Sequence, residues 1–267
     1  MLRALREDHA QRAYDALAPA YDDLTRGHDH AGWTALLEAR AREAGLSGRR
    51  LLHVACGTGN TIVPMLTKGY DVTGVDISDA MLAEARRKTE DRALLVRADM
   101  RDLPVLGEFD LVWCLGDALN YLDTADELAA ALAGLRRNLA PDGVVVFDVN
   151  TLGTFRVLYS SLYVVPADDR VVLLEGRSRP DLEPGQAAQT WIDRLEPAAS
   201  GWWMRTRSSH HHRHHPEAAV RAAIARSGLE CRAVYGTHTS GVIEAPLDEL
   251  VHAKAVYIAR HTARRDH

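Results

Sequence analysis

Apolar residues recur along this chain in two rhythms. In its central part, short continuous runs alternate with stretches of helical period: LLHVA (51–55), DVTGVDI (71–77), ALLVRADM (93–100), FDLVWCL (109–115) and GVVVFDVN (143–150). Near-continuous Val, Leu and Ile are the mark of strands buried on both faces of a parallel sheet. The clearest helix between them starts at Thr124, where Thr124 and Glu127 form a capping-box pattern. Leu128, Leu132, Leu135 and Leu139 mark its buried face, and Pro141 and Gly143 predict its end. Strand and helix in repeated alternation predict a doubly wound α/β domain.

The flanks read differently. Residues 1–48 are helical in pattern: Trp33, Leu36, Leu37, Ala41 and Ala44 recur on one helix face, with Pro19 and Gly27 predicted to break the earlier stretch. After the fifth strand, RVVLLEGRS, AAQTWIDRLEP and SGWWMRTRSS follow one another with turns but no helix, which predicts an antiparallel insertion over 155–209. Helix and strand then resume. Pro216 opens a helix with Val220, Ala223 and Ile224 inside, Gly228 closes it, and ECRAVYG and KAVYIAR are the last strands. The sheet domain therefore comprises 49–154 and 210–267.

Composition narrows the function classes. The 267 residues are 46% hydrophobic and 26% charged, ordinary for a globular protein, and long enough to need no disulfide staples. Three widely spaced cysteines predict reduced thiols in a cytoplasmic protein. No apolar run approaches the ~18 to 20 residues of a membrane span, and the charged N-terminus lacks the apolar stretch of a secretory signal. A net charge of −5 argues against a nucleic-acid partner, which usually leaves a basic footprint.

The chemistry concentrates in HVACGTGNT (53–61), which follows a strand and opens a helix. Gly57 and Gly59 allow a tight turn and close approach of a ligand to the backbone. Nineteen residues after Gly57 comes Asp76, at the end of the second strand, where an acid reaches the ribose hydroxyls of a nucleoside. A dinucleotide fingerprint wants glycine at position 62, where this chain has Ile62, and no P-loop motif occurs.

ACGTGN, VDISDAML, ADMRDLP and FDLVWCLGDALNYL, in this order and spacing, resemble the class I S-adenosylmethionine-dependent methyltransferases, most closely those with small-molecule acceptors. The resemblance implies a Rossmann-like, mostly parallel, seven-stranded sheet with an N-terminal helical lid and an antiparallel β insertion. It implies S-adenosyl-L-methionine as cofactor. Ala55, Cys56, Gly57, Gly59 and Asn60 would lie by its methionine part, and Asp76 would hold the ribose. Ile77 and Met81 would pack on the adenine, Asp99 and the Met100 backbone would meet its amino group, and Cys114 and Leu115 would line the methionine side. Relatives often carry an acid where this chain has His53; either another group replaces that contact, or the His53 ring does a related job, or it packs at a strand end.

Lid and acceptor residues complete the set. Tyr14 and Tyr21 would close over cofactor and acceptor, since ring faces stabilise a sulfonium and a closed lid excludes water. Trp33 is either a third such ring or core packing. Asn120 and Tyr121, just past the fourth strand, are acceptor-side candidates. The run SSHHHRHHP extends the last insertion strand; alternation puts His210, His212 and His214 on one face, with His211, Arg213 and His215 on the other. It is read as a solvated strand edge, as a His210 or His212 general base beside an acceptor-binding Arg213, or as a metal site; no matching acid cluster accompanies it, so no metal ligand is assigned. The insertion would be the acceptor wall or a contact in a homo-oligomer. The expectation is methyl transfer to N or O of a small molecule, such as a natural product, amino sugar or amino-acid-like metabolite. The alternatives are an NAD-dependent oxidoreductase and a non-catalytic cofactor-binding protein.

Overall fold

A central strand, β1 (Arg50–Val54), has parallel neighbours on both sides, and the site follows from that. The computed structural model describes residues 9–167, 169–238 and 241–262, so the outermost residues of the lid and sheet segments lie outside it. On one side of β1 come β2 (Asp71–Asp76) and β3 (Leu94–Arg97); on the other come β4 (Phe109–Cys114) and β5 (Leu139–Asn150). Winding thus reverses between β1 and β4 and opens a crevice beyond their carboxyl ends. Antiparallel to β5 runs β12 (Lys254–His261), then β10 (Leu229–Thr237) and a two-residue edge strand, β11 (Ile243–Glu244). The order is β11-β10-β12-β5-β4-β1-β2-β3: the expected seven strands, with a short eighth at the edge.

Helices cover both faces, as an alternating inside pattern requires. Leu52 and Val54 of β1 join one core cluster with α5 (Ala125–Arg137) and α7 (Glu217–Arg226), while Leu51 joins the opposite cluster. The Thr124 side chain accepts from the Glu127 N–H at 3.1 Å, and Glu127 reaches back to the Asp123 N–H at 2.8 Å. Helix α5 ends earlier than its apolar pattern predicts. Asn138 accepts from the Leu106 N–H through its side chain and from the Phe109 N–H through its carbonyl, which draws the chain into the sheet. Leu139, Pro141 and Gly143 therefore belong to β5.

The N-terminal segment divides into two parts with different jobs. Helix α1 (His9–Leu24) continues through Pro19, against expectation. A proline inside a helix costs about 3 kcal/mol or more, and burial of Ala13, Leu17, Ala18 and Ala20 opposes that cost. Helix α2 (His30–Glu43) packs Leu37 and Ala41 on the far face of the sheet, away from the crevice.

The insertion has four antiparallel strands where three were expected: β6 (Leu162–Pro166), β7 (Val171–Gly176), β8 (Ala187–Pro197) and β9 (Trp203–Arg213). Strand β9 continues through the histidines as far as Arg213, paired along its length with β8, so the insertion does not stop at 209. Leu17 and Ala20 of α1 pack against Val172 and Ile192 of this sheet. Among the described residues no helix is long and apolar enough to cross a membrane.

One ion cluster ties α2 to the sheet domain. Glu38 accepts from Lys68 Nζ at 2.6 Å, Tyr70 Oη at 2.8 Å and Arg42 Nη2 at 2.8 Å. Burial alone would raise the Glu38 carboxyl, but these donors outweigh it and lower its pKa from 4.5 to about 2. A depressed carboxyl contributes stability above its unfolded pKa and loses it as pH falls. Thermal melts should therefore show wild type well above Glu38→Gln at neutral pH, with the gap closing between pH 4.5 and 2. A gap unchanged by acid would refute the assignment.

Candidate active site

The crevice is a cleft of about 760 Å³, its open mouth included. Its floor is the turn after β1. Ala55 and Gly57 have φ of 56° and 55°, a left-handed conformation that glycine adopts without strain. The Gly57 N–H donates to Asp76 Oδ2 at 2.8 Å, and the Ser78 N–H donates to Asp76 Oδ1 at 3.0 Å. These bonds fix the carboxylate at the cleft wall, where it is 7% exposed. Burial raises the Asp76 pKa and the backbone donors partly oppose that rise. A carboxylate has about four acceptor sites, so Asp76 keeps acceptor capacity toward the cleft.

The roof is α1. Asp15 accepts from Ser78 Oγ at 2.5 Å and from the Ala80 N–H at 3.4 Å, at the start of α4 (Asp79–Thr89). One heptad on, Asp22 accepts from Thr58 Oγ1 at 2.7 Å, Asn60 Nδ2 at 3.0 Å and Lys88 Nζ at 2.6 Å. Burial would raise the Asp22 carboxyl, but Lys88, Thr58 and Asn60 win and lower it. Between these anchors Tyr14 and Tyr21 face the cleft with ring centroids 6.3 Å apart, and Tyr121 stands 5.4 Å from Tyr14.

Behind those rings the insertion supplies a second layer. His210 Nδ1 lies 2.8 Å from Tyr121 Oη, and its Nε2 lies 2.8 Å from Ser208 Oγ. His212 stacks on Tyr159 at 4.9 Å and meets the Tyr121 ring at 4.3 Å. Desolvation lowers both His210 and His212 to about 3, so both are neutral. Neither lines the cleft; each stands one ring removed from it.

The structure brings ten of the sequence candidates to the cleft. On the floor and adenine side these are Ala55, Gly57, Asp76, Ile77, Asp99 and Met100; on the lid and acceptor side, Tyr14, Tyr21, Leu115 and Tyr121. Others stand elsewhere for identifiable reasons. Trp33 packs in the far-face core. Gly59, at φ 81°, lets the loop approach the Ala85 backbone, where a Cβ would sit at 3.4 Å. Asn60 is engaged with Asp22 and Lys88. Cys56 and Cys114 are buried in the two cores, with desolvation raising both thiols, and Met81 is fully buried under the wall. Asn120 is a strut: its Nδ2 donates to the Arg213 carbonyl at 2.8 Å and its Oδ1 accepts from the Asn150 N–H at 2.9 Å. The Arg213 guanidinium turns away to the Gly185 carbonyl. His53 points to the far face, edge-on to Trp113 and 3.3 Å from Thr61 Oγ1, and desolvation holds it neutral at about 3.

Sequence reasoning missed several members. Arg101 lines the cleft and pairs with Asp99, donating through Nε at 2.9 Å and Nη2 at 2.5 Å. Lys254 Nζ donates to Asp117 Oδ1 at 2.8 Å and Asp148 Oδ1 at 3.2 Å. Asp148 in turn accepts from the Gly116 and Asp117 N–H groups, fixing the loop that carries Leu115 and Tyr121. The available signal was an acid at the end of the apolar run GVVVFDVN and a lysine opening KAVYIAR.

Comparison with known proteins agrees with this geometry. A family model described as a methyltransferase domain matches residues 51–143. The chain is 35% identical over 125 residues to the dTDP-3-amino-3,4,6-trideoxy-alpha-D-glucopyranose N,N-dimethyltransferase of Streptomyces venezuelae, covering 47% of this chain and 52% of that one. It spans about half the length of the curated relatives it matches. Among solved structures, the sugar N-methyltransferase KedS8 from Streptoalloteichus sp ATCC 53650 is similar at a TM-score of 0.71 and 28% identity, over 89% of this chain and 90% of that one. SAM-bound CalS10, an amino pentose methyltransferase from Micromonospora echinaspora, is similar at 0.68 and 26%, over 91% and 95%.

Proposed function

We propose that this chain is a class I S-adenosylmethionine-dependent methyltransferase that methylates a nitrogen of a small-molecule acceptor, an amino sugar being the class its relatives' names support. The observation that carries the reading is the cleft at the β1–β4 switch point, with the Asp76 carboxylate on its floor and three tyrosine rings on its lid side. The residues fit the cofactor: an acceptor placed for ribose hydroxyls, an apolar shelf at Ile77 and Met100, and ring faces for a cation. Bound there, S-adenosylmethionine supplies an electrophilic methyl group on a sulfonium.

The chain's own part is positioning and exclusion of water. Helix α1 covers the cleft from above, held by Asp15 and Asp22, and so limits the access of water to the donor. An uncharged amine attacks without prior loss of a proton; a hydroxyl needs a base. The ring nitrogens of His210 are held between Tyr121 and Ser208, and its pKa of about 3 makes it a poor store for a proton. That supports nitrogen over oxygen, with His210 positioning the Tyr121 hydroxyl. The net charge of −5 supports a small acceptor over a nucleic acid, and the free thiols of Cys56, Cys114 and Cys231 support a cytoplasmic setting.

The test is incubation with S-adenosylmethionine and paired nucleotide sugars, each bearing either an amino or a hydroxyl group at the same carbon. Mass spectrometry should show one or two methyl groups added to the amino sugar alone. Preferential methylation of the hydroxyl sugar would overturn the nitrogen assignment.

A further inference from the structure

Away from the cleft, at the β11 edge of the sheet, His238, Glu244 and His252 converge. His238 follows β10, Glu244 lies in β11 and His252 precedes β12. Glu244 Oε1 is 3.0 Å from His238 Nε2 and 3.0 Å from His252 Nε2, and all three atoms lie within 4.8 Å of one another. The geometry points to a binding site for a borderline divalent transition ion, zinc above all, with these three atoms as ligands.

Three features support it. The donor set, two imidazoles and one carboxylate, is one that zinc accepts, with the fourth position left to water. Glu244 is 54% exposed, so water reaches that position. The deepest ligand is also built in. His252 is 3% exposed, and its ring lies on the bare backbone of Gly236, where a Cβ would sit 2.1 Å from Nδ1. Gly236 is the β10 residue paired with Glu244, so one glycine seats the imidazole beside the carboxylate.

The Asp248 backbone sets the tautomer of His252. His252 Nδ1 lies 3.1 Å from the Asp248 carbonyl oxygen and 2.9 Å from the Asp248 N–H. Nδ1 accepts from that N–H, so with no ion bound the ring proton sits on Nε2 and points at Glu244; an ion at Nε2 requires that proton to move to Nδ1, where the Asp248 carbonyl can accept its hydrogen bond. Zinc ligands bound at about 2.0–2.2 Å stand roughly 3.3 Å apart, so His238, partly exposed on the hairpin, closes the triangle by moving at most about 1.5 Å.

The ion would act as a clip. It would join the β10–β11 hairpin to the residues leading into β12, where the Ala253 carbonyl accepts from Thr151 and Thr154 and where Lys254 begins its reach to Asp117. Two imidazoles donating to Glu244 with no ion would make the same contacts, and titration separates the two cases.

The experiment is equilibrium dialysis of the tag-free full chain against zinc chloride, with cobalt(II) absorption reporting coordination. His238→Gln and Glu244→Gln, both at partly exposed positions, are compared with His211→Gln in the histidine run. One equivalent should bind, and each of the first two substitutions should weaken it by at least the roughly ten-fold that loss of even an outer contact costs. His211→Gln should bind as wild type does, and zinc should raise the melting temperature of wild type and His211→Gln only. Absence of binding, binding undiminished in His238→Gln, or binding lost in His211→Gln would overturn the proposal.

Discussion

Asp76→Ala is expected to weaken S-adenosylhomocysteine binding by roughly a hundred-fold in a calorimetric titration. The carboxylate sits at the cleft wall with the Gly57 and Ser78 N–H groups fixing both oxygens. A hydrogen bond to a charged group is worth about 1.5–3 kcal/mol, and about 1.4 kcal/mol is a factor of ten. Two ribose hydroxyls on one carboxylate therefore account for two decades. The alanine variant also leaves the Gly57 N–H without its partner, so the floor loses its support together with the ligand contact. Circular dichroism melting checks that the variant is folded. An affinity within a factor of about three of wild type would remove Asp76 from the ribose role, since that is under one hydrogen bond's worth.

The second large effect concerns stability. Lys254→Met leaves Asp117 and Asp148 facing each other with no cation, and the Asp148 side chain is 1% exposed. Breaking a buried pair by removing one partner costs about 3–5 kcal/mol. The Lys254 side chain is 27% exposed, which places the expected loss near the lower figure, about 3 kcal/mol. Denaturant unfolding at neutral pH reads it directly, and Asp117→Asn in the same background should recover part of the loss. The pH dependence has a defined sign. Burial alone would depress the ammonium, but Asp117 and Asp148 outweigh it and raise its pKa above the ordinary lysine value. A raised pKa contributes its full stability below the unfolded value, about 10.4, and loses it as pH climbs through the folded one. Wild type and variant should therefore differ at neutral pH and converge in strong alkali. A neutral-pH difference below about 1 kcal/mol, the scale of an exposed pair, would sink the account.

What could be read in advance was what is written locally. Four of the five apolar runs became β1, β2, β4 and β5 because buried strands carry little polar alternation to obscure them, and the remaining run became the partly exposed edge strand β3. The glycine loop and Asp76 were legible because a tight turn and an acid at a strand end have fixed spacing. Pro19 misled because propensity is local while burial of Leu17 and Ala20 against the insertion is not. Trp33 stayed open between lid and core because a ring on an apolar helix face has the same pattern in either place; it packs in the core. Asn120 occupied the expected place but turned its amide to Arg213 and Asn150, a choice made by a strand far along the chain. The Lys254–Asp148 pair spans 106 residues and leaves no periodic trace at all. Asp15 and Asp22 were more accessible: they share the heptad spacing of Tyr14 and Tyr21, which puts both acids on one side of α1.

Helix α1 has two masters. Its acids belong to the floor, at Ser78 and Lys88, while Leu17 and Ala20 belong to the antiparallel sheet above. It cannot rise from one without sliding on the other, so access to the cleft is set by the joint hold of both layers. Linkage makes this reciprocal: a ligand that binds only beneath the seated helix stabilises the contact between helix and insertion by its own binding free energy. The insertion, none of whose described strands lines the cleft, is thereby a thermodynamic partner of any ligand held beneath the helix. Sequence drift at Val172 or Ile192 can retune cofactor affinity while every residue around the nucleoside stays the same.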